Sequence, residues 1–271
     1  MGDADQELVD LLEAVWQSYA DACSGLTEEQ WKASTDLPGW SVQDNVVHIV
    51  GIESSVLGRP APEHTPPELD HVKNDIGRSN EVWVDSRRSW SGADVFAEFQ
   101  EVTGERIAQL RTFGDAEFSA DSWTPAGPGA VRDLLPFRVF DSWAHEQDIR
   151  RALGRPGGFN GPVAEMSFAR VANALPFVVG KKVAPPDGTT VVFEITGALP
   201  QTLAIAVDGG RAKVVDRPAA PSVTLTLDAE AVACLGMGRW HPADALADGE
   251  VTIAGDEALG RRIVENMNFM F

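Results

Sequence analysis

The sequence predicts a chain of two parts, a four-helix bundle over 1–157 followed by an α+β domain over 158–271. Three observations carry this. At 271 residues the chain is long enough for two domains that each bury a core. Its first half repeats apolar residues at helical spacing between loops of Gly, Pro, Ser and Asp. Beyond Gly157-Gly158 the pattern turns to short β-branched runs and a hairpin turn.

The elements follow in order. Leu8, Leu11, Leu12, Val15 and Tyr19 define a first amphipathic helix, and Thr27 with Gln30 forms a capping box for a short helix carrying Trp31. In Leu37-Pro38-Gly39-Trp40-Ser41 a turn runs into a helix with Ser41 as N-cap and Asp44 in the first turn. Val42, Val46, Ile49, Val50 and Val56 give that helix one apolar face, with His48 beside the stripe. A helix through Ile76 and Trp83 and another opened by Ser91 come next, then a loop from Thr124 to Gly129 and a long helix from Ala130 to Leu153 that stops at Gly154. In the second half a helix from Val163 to Val179 precedes strands Thr189–Ile195, Leu203–Val207 and Ala212–Val215, the last two joined by Asp208-Gly209-Gly210. A strand from Ser222 to Leu227, a helix capped by Asp228, a strand Val251–Ile253 and a last helix Glu257–Asn266 complete the domain.

With 41 Asp plus Glu against 22 Lys plus Arg, the formal charge of −19 argues against nucleic acid or anionic membrane as partner. The N-terminus is acidic where a signal peptide is basic, and no apolar run reaches spanning length, so a cytoplasmic location is expected. Cys23 and Cys234 show no reactive motif, and no disulfide is expected between them.

In Asp141-Ser-Trp-Ala-His145-Glu-Gln-Asp148, the spacing puts Asp141, His145 and Asp148 on one helix face together with Leu134 and Phe137. Such an inward face can offer two ligands to a metal, as facing helices of bundles do. On spacing alone Asp141 and His145 equally fit a hydrogen-bonded surface pair, and His48 a half-buried core histidine. Asp44 is a rival ligand one turn before His48. Arg150 and Arg151 fit a helix's last turn, His64 and His71 a solvated loop, and Trp40 and Trp143 a core.

The run Leu37-Pro-Gly-Trp-Ser-Val-Gln-Asp-Asn-Val-Val-His48, together with Asp141 through Gly154, resembles the mycothiol-dependent maleylpyruvate isomerase family. Pro186-Asp-Gly-Thr-Thr-Val-Val-Phe-Glu and Gly255-Asp-Glu-Ala-Leu-Gly-Arg-Arg-Ile-Val resemble its C-terminal module. The resemblance implies a DinB-like four-helix bundle followed by a sterol-carrier-protein-like α+β domain. It places a divalent metal, Zn2+ or another, on His48, Asp141 and His145, where the family's isomerases are Glu-like at the position of Asp141. Two imidazoles and one carboxylate leave a coordination position open, and mycothiol is the thiol cofactor implied for it. The implied activity is isomerisation of a small electrophile such as maleylpyruvate, by thiol addition, rotation and elimination, or S-transfer at the same site. Arg239, in Gly238-Arg239-Trp240-His241-Pro242, is the candidate catalytic residue, with a surface arginine as the alternative. A monomer or homodimer is expected. The rival readings are a small-molecule or lipid binding protein with a non-catalytic metal site, and a metal-dependent hydrolase.

Overall fold

The computed structural model describes residues 2–270 and divides into two compact units, Met1–Gly158 and Phe159–Phe271. In the first, α1 (Asp3–Cys23), α3 (Val42–Val56), α5 (Gly92–Arg111) and α7 (Val131–Ala152) are the long helices of a bundle. Helix α2 (Glu28–Trp31) lies in the first crossover, α4 (Asp75–Arg87) packs on α3, and α6 (Asp115–Phe118) precedes α7. The core is filled by Leu12, Val15, Tyr19, Ile49, Phe99, Leu110, Leu135 and Trp143, all essentially fully buried.

The predicted helix starts are built as their residues dictate. Thr27 and Ser41 each accept from the backbone amide three residues on, while Gln30 and Asp44 return the bond to the cap's own amide. Two orphan donors are thereby satisfied at each start. Asp44 is committed to this cap and to Arg88, 3.4 Å away, so it is held away from the role of rival ligand. Gly154 ends α7 with φ +61°, a conformation that favours glycine.

The loop expected between Thr124 and Gly129 is instead part of a hairpin, β1 (Asp121–Thr124) against β2 (Gly127–Ala130). Its strands are four residues each, β2 being Gly-Pro-Gly-Ala, and are too short for alternation to show. Val56 and Ile76 also depart from the expected faces, being 37% and 52% exposed.

The second unit is an α+β domain. Its sheet runs β5 (Arg211–Val215), β4 (Gln201–Asp208), β3 (Thr190–Thr196), β6 (Val223–Asp228), β7 (Val251–Gly255), with β3 and β6 parallel and the other pairs antiparallel. The β4–β5 turn places Gly209 and Gly210 at φ +56° and +69°, as a two-residue hairpin of this twist requires. Central β3 buries Val191, Val192 and Phe193 in succession, whereas β6 alternates buried Val223, Leu225 and Leu227 with half-exposed threonines. The helices are α8 (Gly161–Phe177), α9 (Ala229–Gly236), α10 (Pro242–Ala247) and α11 (Glu257–Glu265). Pro176 lies two residues before α8 opens into a wider π-type turn over Val178–Val183, and the six-residue α10 had no periodicity to announce it.

Candidate metal centre

Helices α3 and α7 pack side by side and bring three of the predicted residues together. His48 comes from α3, Asp141 and His145 from successive turns of α7, and one donor atom of each lies within 4.8 Å of the others. His48 Nε2 is 3.3 Å from Asp141 Oδ2, and His145 Nε2 is 3.7 Å from Asp141 Oδ1. A tetrahedral ion with bonds of about 2.1 Å separates its donors by about 3.4 Å. The observed spacings bracket that value. Both ring nitrogens of His48 are buried without a hydrogen-bond partner, a cost that an ion would relieve. The donor set therefore fits a divalent cation.

The surroundings fix the ligands' orientation. Asn45 is fully buried, and its Nδ2 donates to the Ser41 carbonyl at 2.8 Å and to Thr35 Oγ1 at 3.3 Å. That leaves its Oδ1 as acceptor for His145 Nδ1 at 2.8 Å. The proton of His145 is thus assigned to Nδ1 and the Nε2 lone pair turned toward His48 and Asp141. Asp148 Oδ2 stands 3.3 Å from the same Nδ1, while its Oδ1 accepts from Arg151 Nη2 at 2.5 Å. On the other side, Arg138 donates to Asp141 Oδ2 at 2.8 Å and to Glu53 Oε1 at 2.6 Å.

Electrostatics keep this set in ligand form. Burial pushes the His48 imidazole below its ordinary value, only partly opposed by Asp141. Burial also acts to raise Asp141, but its interactions with His48 and Arg138 outweigh it and hold the carboxyl well below the usual range. A neutral His48 and an ionised Asp141 are the protonation states a divalent metal requires of these two ligands.

A cavity of about 530 Å³ opens at His48, walled by Trp83, Phe113, Trp123 and Leu134 and lined also by Arg106 and Gln109. Trp123 sits on the β1–β2 hairpin and is 62% exposed. Cys23 is buried, and burial pushes its thiol well above the ordinary value, which makes it a poor nucleophile.

Other predicted residues fall elsewhere. His71 and His64 are not merely solvated, since they contact Glu81 at 2.8 Å and Asp85 at 2.6 Å. Trp40 sets its ring 5.2 Å from that of His48 at a tilt of 48° and donates to buried Glu81, a packing role. Arg150 binds Glu146, and Arg151 binds Asp36 and Asp148. Arg239 lies in the loop after α9 and donates to the Met237 carbonyl at 2.9 Å. Sequence reading passed over Asn45 and Arg138, each three residues before a ligand on its own helix, and Glu53 and Arg106, which carried no motif signal.

Fold and site define a helical-bundle protein with a His-Asp-His donor set whose His48 lines a cavity, joined to an α+β domain. Residues 12–150 match the family profile described as "Mycothiol maleylpyruvate isomerase N-terminal domain", and residues 165–262 the profile "MDMPI C-terminal domain". The chain belongs to the mycothiol maleylpyruvate isomerase family.

Two solved structures, of the mycothiol-dependent maleylpyruvate isomerase and of a histidine-to-alanine mutant of it, are each 14% identical to this chain. Each aligns at a TM-score of 0.56 over 94% of this chain and 96% of its own, a likeness of fold. Sterol Carrier Protein 2 Like 2 from Aedes aegypti matches 37% of this chain and 96% of its own at 19% identity and a TM-score of 0.31. No curated protein matches the chain. Among the described residues no helix is long and apolar enough to cross a membrane.

Proposed function

We propose that this protein is a metal- and mycothiol-dependent isomerase, or an S-transferase at the same site, acting on a small electrophile such as maleylpyruvate. One observation carries the reading. His48, Asp141 and His145 form a metal-fitting donor set, and His48 lines a cavity that no cysteine lines. A divalent metal there would lower the pKa of an incoming thiol, and mycothiol would supply a reversible nucleophile for an activated double bond. The protein's share is positional. Asn45 holds His145 in the Nδ1–H tautomer, and Arg138 orients Asp141 while its own charge is balanced by Glu53. Trp83, Phe113 and Leu134 give the space beside His48 an apolar wall.

Arg239 is retained as the candidate catalytic residue of the second domain, to be tested by Arg239→Ala in the same assay. The test of the whole reading is metal analysis joined to turnover with and without mycothiol. About one zinc or other divalent ion per chain, lost in His48→Ala and His145→Ala, and turnover only with thiol are expected. Unchanged metal content in both variants would remove the metal reading, and turnover that persists without thiol would favour a hydrolase using activated water.

A further inference from the structure

We infer that Arg106 is the carboxylate-binding residue of the cavity beside His48. The side chain comes from α5, is 3% exposed and lines the same cavity as His48. A guanidinium this buried needs acceptors for its donors, and Arg106 is short of them. Its Nε is buried with no hydrogen-bond partner, and Nη1 is taken up by the neutral amide of Gln109.

The simpler role, a structural ion pair with Glu53, is made only at a distance. Arg138 holds Glu53 Oε1 at 2.6 Å, whereas Arg106 Nε stands 3.6 Å from Oε2, outside hydrogen-bonding distance. Asp141, the other acid of the cluster, is bound by Arg138 and belongs to the donor set. Glu53 is therefore left as one carboxylate between two guanidiniums. Burial, the largest influence, correspondingly disfavours the charged form of Arg106. An anion entering the cavity would supply the missing charge and accept from a planar donor group suited to carboxylates. The apolar walls Trp83, Phe113 and Leu134 lower the local dielectric and so strengthen that interaction.

The identity of the natural carboxylate rests on the proposed function, but its binding can be measured without turnover. Succinate, with uncharged succinamide as control, is titrated calorimetrically into the full chain as purified and after metal removal. Wild type should bind succinate at least tenfold more tightly than succinamide. Arg106→Gln should lower succinate affinity ten- to a hundredfold in both metal states and leave succinamide binding unchanged. Gln109→Glu keeps Arg106 but offers it a competing internal carboxylate, and should weaken succinate binding in the same direction. It decides the matter should Arg106→Gln fail to give a cooperative melt. Equal binding of succinate and succinamide to wild type would overturn the inference. So would succinate affinity untouched by both substitutions, or dependent on the metal alone. Arg106-dependent binding without thiol-dependent turnover would remove the isomerase reading and leave this inference standing.

Discussion

Replacing Asn45 by Leu should weaken metal binding without touching a ligand. The substitution removes the acceptor 2.8 Å from His145 Nδ1 and keeps the branching at Cγ. Partners of metal-binding histidines typically contribute ten- to a hundredfold in affinity. The lower end applies here, because Asp148 Oδ2 lies 3.3 Å from the same nitrogen and can take part of the bond, although Arg151 already holds its other oxygen. We expect about a tenfold loss, or about 1.4 kcal/mol. Competition against a chromophoric zinc chelator measures it, with circular dichroism to verify the fold. Asn45→Asp keeps an acceptor facing His145 and should hold wild-type affinity or exceed it, at some cost in stability from the lost bond to the Ser41 carbonyl. A folded Leu variant with wild-type affinity would refute the assignment of His145 as an oriented ligand.

Three further outcomes are expected. Cys23→Ser combined with Cys234→Ser should leave mycothiol-dependent turnover within about twofold of wild type in a steady-state assay, since both thiols are buried and Cys23 is held protonated. Burial acts to raise the Asp85 carboxyl, but hydrogen bonds from His64 and Arg88 hold it below its ordinary value. The unfolded chain therefore takes up that proton first, so the stabilisation is complete above a pH of about 4 and fades as pH falls through the folded value. Asp85→Asn should flatten this acid limb in urea unfolding followed against pH. Gly92→Ala should destabilise by about 1–3 kcal/mol in the same assay, because its Cβ would lie 2.0 Å from Cδ1 of the buried Trp31 ring.

How much was legible in the sequence depends on how locally each feature is encoded. The caps at Thr27, Ser41 and Ser91 and the Asp-Gly-Gly turn involve neighbours in sequence, and all are present. The two-part architecture followed from patterns long enough to average over. The β1–β2 hairpin and α10 are too short for any period, and the exposure of Val56 is set by the cavity, a tertiary feature. The same division holds at the site. Asp141 and His145 share a face by helical geometry, whereas the pairing of His48 with them required the α3–α7 packing. Arg106 is 53 positions from Glu53, and nothing local distinguishes it from an ordinary helix arginine.

The aspartate at position 141, where the family resemblance implies a glutamate, is explained by the same packing. Asp141 shares α7 with His145, so a side chain one methylene shorter also reaches His48 only if α7 is held close to α3. The chain Glu53–Arg138–Asp141 does this, running from α3 to α7 through bonds of 2.6 and 2.8 Å and tying together the helices that carry the ligands. Asn45 adds a second tie from α3 to His145 on α7. Both ties are buried at Glu53, Arg138 and Asn45, where a broken bond leaves an uncompensated polar group and costs more than an exposed one. The donor spacing is therefore a property of the helix pair rather than of the three ligands alone, and the shorter carboxylate keeps separations of 3.3 and 3.7 Å that still suit a tetrahedral ion.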